Sequence, residues 1–268
     1  MLQLKIPGSK IVKNTAKATL KGCRIPAGVA GIIPYVIYLV LSAIAGAFSM
    51  LMTNKSILTG AIFAVLLIFL FAPVALGAIR WFWRSSDGLK ESPSTVFHYF
   101  SSFFLYKRAM KCILFLLLKC VTAFITCLLP YFVISIISNS WIYQFLGTEI
   151  PLWVAGLAFV QSFLRTVGII AGITVISRYY LFPAIAVMDD DMLLLEAIHI
   201  SVMVSRRSVA TFIGLVISFI PLILVSFLAI PVFYTAPIFF SAYAIHSRYA
   251  LVNYNQNLDN YKKQNFAF

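Results

Sequence analysis

The chain has 268 residues, of which 62% are hydrophobic and 11% charged. An average soluble domain carries roughly a quarter charged residues, so this chain cannot clothe a water-soluble globule. Disorder, a disulfide mini-protein and a fibrous repeat are excluded too. Twenty-one Lys and Arg against eight Asp and Glu leave a net charge of +13. In a membrane chain that excess belongs in loops facing the cytoplasm and anionic lipid, so it does not point to nucleic acid.

Lys10, Lys13, Lys17, Lys21 and Arg24 recur every three or four residues, which makes one basic stripe on a helix. Val12, Ala16, Leu20 and Cys23 form the neighbouring apolar stripe. This is the pattern of an amphipathic helix lying on an anionic leaflet. The basic region is too long, and the apolar run behind it too extended, for a cleaved signal peptide. Residues 27–52 and 56–78 are apolar and joined by Thr53-Asn54-Lys55. Each exceeds the ~20 residues needed to cross a bilayer as a helix.

Ser92-Pro93 then supply an N-cap and first helical residue. The helix expected there carries Val96, Phe97, Phe100, Phe103 and Phe104 on one side and ends at Lys107-Arg108. Residues 112–138 are apolar apart from Lys119, and residues 151–177 apart from Arg165. A third cytoplasmic helix is expected from Asp189-Asp190-Asp191 through Leu194, Ala197, Ile198 and Ser201 to Arg206-Arg207, with acids at its start and bases at its end as the helix dipole favours. Residues 209–229 and 231–245 close the series, the last extendable to about Val252.

The expected fold class is all-α: a polytopic transmembrane bundle of six helices in three hairpins, each preceded by a cytoplasmic interfacial amphipathic helix. Residues 1–255 read as a single integral membrane domain, with units of about 1–90, 91–188 and 189–255, and residues 256–268 as a polar cytoplasmic tail. Alternating the loops places 18 Lys and Arg on one side and Lys55 alone on the other. The positive-inside rule then puts both termini in the cytoplasm, in a bacterial inner membrane. Ile33-Pro34-Tyr35, Leu129-Pro130-Tyr131 and Ile220-Pro221-Leu222 recur in the odd spans, and Arg80-Trp81, Arg178-Tyr179 and Arg248-Tyr249 close the even ones.

Arg165 is the anomalous charge. It lies 13 residues before Arg178, which is about 20 Å along a helix. A cation at that depth is costly unless paired or wetted. Ala158, Gln161, Gly168 and Gly172 share its helical face. Gly168-x-x-x-Gly172 suits close approach of another helix, so the helix-packing face is Ala158, Gly168 and Gly172. No acid falls within any expected span. Three readings of Arg165 stay open. It forms an anion or lipid site with Gln161; or it bonds to Gln161 and proline-freed carbonyls; or the fourth span begins later and Arg165 is external. Asp189–Asp191 reads as a helix cap, or else as a cation site lacking partner acids.

No zinc pair, nucleophile elbow, phosphate loop or dinucleotide turn occurs. No catalytic, cofactor-binding or metal-binding residue is assigned. Four cysteines without a Cys-x-x-Cys pair give no disulfide framework.

Arg178-Tyr179-Tyr180, Pro183, Asp189–Asp191, Glu196-Ala197, Ser201, the basic pair and Phe212 follow one another in the third unit. This order resembles an uncharacterised bacterial six-helix integral membrane family with the pattern aromatic–Pro–acidic–Ala-x-x-x-Ser–Gly–basic–Phe. It is distantly similar to the membrane domain attached to some glycerophosphodiester phosphodiesterases. Ser205-Arg206 stands where that family has Gly before the basic residues. The resemblance implies six helices and no established activity.

The function expected is that of a non-enzymatic membrane scaffold or accessory factor. The alternative is a small transporter or lipid-handling protein with an anion site at Arg165. The partners expected are membrane lipids, anionic on the cytoplasmic face, with protein partners or a homo-oligomer possible and no nucleic acid.

Overall fold

A computed structural model describes residues 7–51, 56–89, 91–144, 152–226 and 232–265. The described residues are all-helical, with no strand among them. The helices are α1 (Ser9–Leu20), α2 (Arg24–Leu51), α3 (Ser56–Leu66), α4 (Ala72–Ser86), α5 (Phe103–Gln144), α6 (Leu152–Ile176), α7 (Phe182–Met188), α8 (Leu194–Ser226) and α9 (Val232–Asn265). A π turn at Leu67–Phe71 joins α3 to α4, and 3-10 turns occupy Pro93–Phe100 and Ser177–Tyr179.

Among the described residues, five stretches are long and apolar enough to cross a membrane: Arg24–Ala47, Ile62–Ser86, Phe103–Ile137, Gly156–Met188 and Leu194–Leu222. The chain is therefore a multi-pass membrane protein. The segment read as a sixth span begins α9. It is not among these five, and its expected first residue, Pro231, lies outside the described residues. The Thr53-Asn54-Lys55 turn and residues 227–231 lie outside the described residues. Two expected cytoplasmic helices take other forms. The one after Ser92 is a 3-10 turn, and the one after Asp189 runs without a break into α8. The tail is helical through Asn265.

The helices form two compact units. One comprises residues up to Ile113 and from Leu181, and the other comprises Leu114–Tyr180. In the first unit, α4 is central. It packs against the 93–100 turn, α9, α7 and α2. Pro73–Val74, Leu76–Ala78 and Arg80–Trp83 are all buried. The largest enclosed side chains are Trp81, Tyr99, Phe82 and Phe182.

Pro73 has no N–H, so it cannot bond the carbonyl four residues back, at Phe69. Tyr106 fills that need: its hydroxyl donates to Phe69 O at 3.1 Å. At the other end of α4, Gly88 has φ +80°, a conformation costly for residues with a Cβ. There Gly88 N–H donates to Ser85 O at 3.1 Å and Leu89 N–H to Arg84 O at 3.3 Å. These two bonds make a Schellman stop. Helices α8 and α9 run antiparallel along a ring ladder, Phe219 on Phe239 and Phe212 against Tyr243 and His246.

In the second unit, the described part of α5 beyond Leu114 pairs antiparallel with α6. A Cβ added at Gly168 would sit 2.7 Å from Cys127 O, and one at Gly172 2.9 Å from Phe124. These backbones approach because both positions lack side chains. Outward, α5 and α6 show Val121, Ile125, Phe159, Phe163 and Ile170, a surface for lipid.

The tightest packing lies where the 93–100 turn crosses α4. A Cβ at Gly77 would fall 1.8 Å from Val96 O. A backbone oxygen cannot swing aside, so Gly77→Ala should lower stability by about 3 kcal/mol, the upper end for overpacking. Gly46 has nothing within 4 Å of such a Cβ, so Gly46→Ala serves as the neutral control. Thermal unfolding in detergent micelles reads both, and equal midpoints would refute the close approach.

Candidate functional site

The polar groups of the first unit gather where α4, the 93–100 turn, the loop after α7 and α9 meet. Arg80, near the end of α4, has a side chain only 8% exposed and pairs with Asp190 at 2.6 Å. Arg84, one turn on, pairs with Glu91 at 2.6 Å. Arg248 of α9 pairs with Asp87. It also donates to Trp83 O at 3.3 Å and lies 4.9 Å over the Trp83 ring. Arg108 of α5 donates to the carbonyl of Asp189 at 2.7 Å and, at 3.4 Å, to that of Ala186. Trp81 Nε1 donates to Glu91 O at 3.2 Å.

Asp190 is the centre of this junction. Its Oδ2 receives Arg80 and lies 3.6 Å from His98 Nε2, too far for a hydrogen bond. Asp190 Oδ1 and His98 Nε2 are buried atoms with no hydrogen-bond partner. Burial, helped by the neighbouring Arg80 charge, holds His98 below its ordinary value, while Asp190 pulls the other way. Burial and Asp190 push Tyr99 up to about 12. Asp189 Oδ1 accepts from Asp191 N–H at 2.9 Å, which is the local turn expected of an acid at a helix start. Among the described residues no group of three metal-ligating side chains occurs.

The basic stripe is not carried by one helix: α1 ends at Leu20, Lys21 is its C-cap and Arg24 begins α2. Lys10, Lys17, Lys21 and Arg24 are exposed. Lys13 turns inward: its Nζ donates to Ser218 O at 2.5 Å and stands 4.2 Å over the Phe219 ring. Burial, with Lys17 nearby, lowers its pKa. The apolar stripe that the sequence turns toward lipid meets protein. Val12, Ala16 and Leu20 are buried, and α1 packs on α8 and α9.

In the second unit, Gln161 Nε2 donates to Ser135 Oγ at 3.0 Å. Gly168 and Gly172 are buried against α5, while Ala158 and Arg165 are exposed. Arg165 makes no hydrogen bond or ion pair with another described residue. The structure thus brings Gln161, Gly168 and Gly172 to one seam and leaves Ala158 and Arg165 outside it.

Sequence reasoning missed the Arg80–Asp190–His98 junction. Arg80-Trp81 reads equally as an interface anchor, and Asp190 as one of three capping acids. The usable signal was Arg80 and Arg84 one helical turn apart at the end of a span. No family model, curated protein or solved structure matches this chain.

Two outcomes follow. Arg80→Gln leaves Asp190 without its cation, and Asp190→Asn strands a buried guanidinium. Each should cost about 3 kcal/mol, the lower end for breaking a buried pair, because Asp190 keeps some solvent contact. Losses that add fully in the double variant, in detergent unfolding, would deny the coupling. His98 titrates lower in the folded chain than in the unfolded one, so below pH ~6.5 the unfolded chain binds the extra proton. Stability should therefore fall as pH drops through that range, and fall less in His98→Gln. Parallel pH profiles for the two proteins would contradict this.

Proposed function

We propose that this chain is an integral protein of a bacterial inner membrane that works as a non-enzymatic scaffold or accessory factor. In this reading it crosses six times with both termini cytoplasmic, and its basic cytoplasmic face engages anionic lipid. The observation that carries the reading is the way the cations are divided. Arg80, Arg84 and Arg248 are each paired with an acid, Arg80 in a buried position. Lys10 and Lys17 on α1, Lys21 at its C-cap and Arg24 at the start of α2 stay exposed, and the opposite face of α1 packs on α8 and α9. Asp190, Glu91 and Asp87 are already paired, so they do not cancel that row. A fixed cationic row needs no folding on contact with headgroups, and each lysine near the surface contributes on the order of 1 kcal/mol.

The second reading is an anion site at Arg165. It is favoured by an exposed guanidinium, without a described partner, on an otherwise uncharged helix.

Full-length protein in vesicles of mixed phosphatidylglycerol and phosphatidylcholine separates the two. With spin-labelled lipids, Lys10→Gln, Lys17→Gln and Lys21→Gln together should cut the preference for phosphatidylglycerol several-fold at low salt. Retention of the full preference would sink the scaffold reading. A loss only with Arg165→Gln would favour the second.

A further inference from the structure

The 93–100 turn and the start of α5 carry an aromatic face that nothing in the first unit covers. Val96 and Tyr99 are buried against α4, which fixes the turn. Phe97 and Phe100 point away from that contact and are well exposed, and Phe103 and Phe104 are 81% and 67% exposed. Four phenylalanines displayed together by a rigid element would be a serious liability in water.

Three observations say what covers them. First, the face continues into a surface already suited to lipid. The Phe100 ring lies 5.7 Å from Tyr106, and Tyr106 donates to Phe69 O. Phe69, Leu70 and Val65 expose their side chains from the membrane-crossing stretch Ile62–Ser86. Second, the hydroxyls of the segment are spent locally. Thr95 Oγ1 donates to Ser92 O at 2.7 Å, Ser101 Oγ to His98 O at 2.7 Å, and Ser94 Oγ to Ser92 Oγ at 2.9 Å. Groups satisfied in this way enter a low-dielectric boundary at little cost. Third, the charge beside the face is cationic. Lys107 and Lys111 are exposed on the first turns of α5. The acids nearest in the junction, Glu91 and Asp190, are neutralised by Arg84 and Arg80.

We propose that residues 97–104 are an aromatic wedge seated at the acyl–headgroup boundary of an anionic leaflet, with Lys107 and Lys111 on the lipid phosphates. The wedge needs only that the apolar helices lie in a bilayer. It stands whether or not the basic row of α1 acts as a lipid-binding scaffold.

The test uses the full chain in vesicles of phosphatidylglycerol and phosphatidylcholine, with p-benzoylphenylalanine replacing Phe103 or Phe104. Leu70 serves as the lipid-facing reference and Asp191 as the aqueous one. Irradiation and mass spectrometry should give phospholipid adducts at Phe103 and Phe104 in yields close to those at Leu70. Phosphatidylglycerol should exceed its share of the bilayer by about fivefold per engaged lysine. Lys107→Gln with Lys111→Gln should return the adducts to bulk composition while keeping their yield. Yields at the Asp191 level, or crosslinks joining two chains, would overturn the wedge. An anionic preference unchanged by the lysine substitutions would overturn the phosphate contacts.

Discussion

The buried pair of Arg80 and Asp190 is the interaction on which the first unit depends. Lipid is as apolar as the side chains it surrounds, so burying Leu or Phe between membrane helices gains little. Specificity there comes from close backbone packing and from polar groups that must find one another. Arg80 sits near the end of a stretch apolar enough to cross a bilayer, with 8% of its side chain exposed. Only a carboxylate at bonding distance makes that placement tolerable. Asp190 supplies it, and in doing so fixes where the loop after α7 meets α4. The 93–100 turn is held in the same place by Gly77 and Tyr99, and Trp81 ties down Glu91 just ahead of it.

The two kinds of cation have separate roles for a physical reason. Guanidinium is planar, weakly hydrated and able to bond several oxygens at once, which suits Arg80 to a buried position and Arg108 and Arg248 to half-buried ones. Ammonium is compact and strongly hydrated, and among the residues of the first unit whose burial is described, Lys10, Lys17, Lys21, Lys107 and Lys111 stay outside. Lys13 is the exception, and it needs both a carbonyl and an aromatic ring to lie where it does.

What could be read from sequence followed the same line. The apolar runs announced helices because hydropathy is summed over ~20 residues and tolerates local error. Gly168 and Gly172 were legible because small residues one turn apart have few other uses in a span. The buried face of α1 was legible as a stripe, but its partner was not: Val12, Ala16 and Leu20 fit a leaflet as well as they fit α8 and α9. The turn at 93–100 escaped because Val96 and Phe97 look alike in a hydrophobic pattern, although one is buried and the other exposed. Asp190 escaped because its partner is 110 residues away, and periodicity carries no information at that range.

That distance has a consequence for how the molecule is made. The first unit is discontinuous, its two parts separated by residues 114–180. Arg80 leaves the ribosome long before Asp190, and Lys13 waits 205 residues for the carbonyl of Ser218. During synthesis both cations are therefore made well before the groups that they contact in the folded chain. Helices α8 and α9 are made after α1 and α4, and they bring Ser218 to Lys13 and Arg248 to Asp87. A chain stopped after α6 would keep the α5–α6 seam and lack the contacts that complete the first unit.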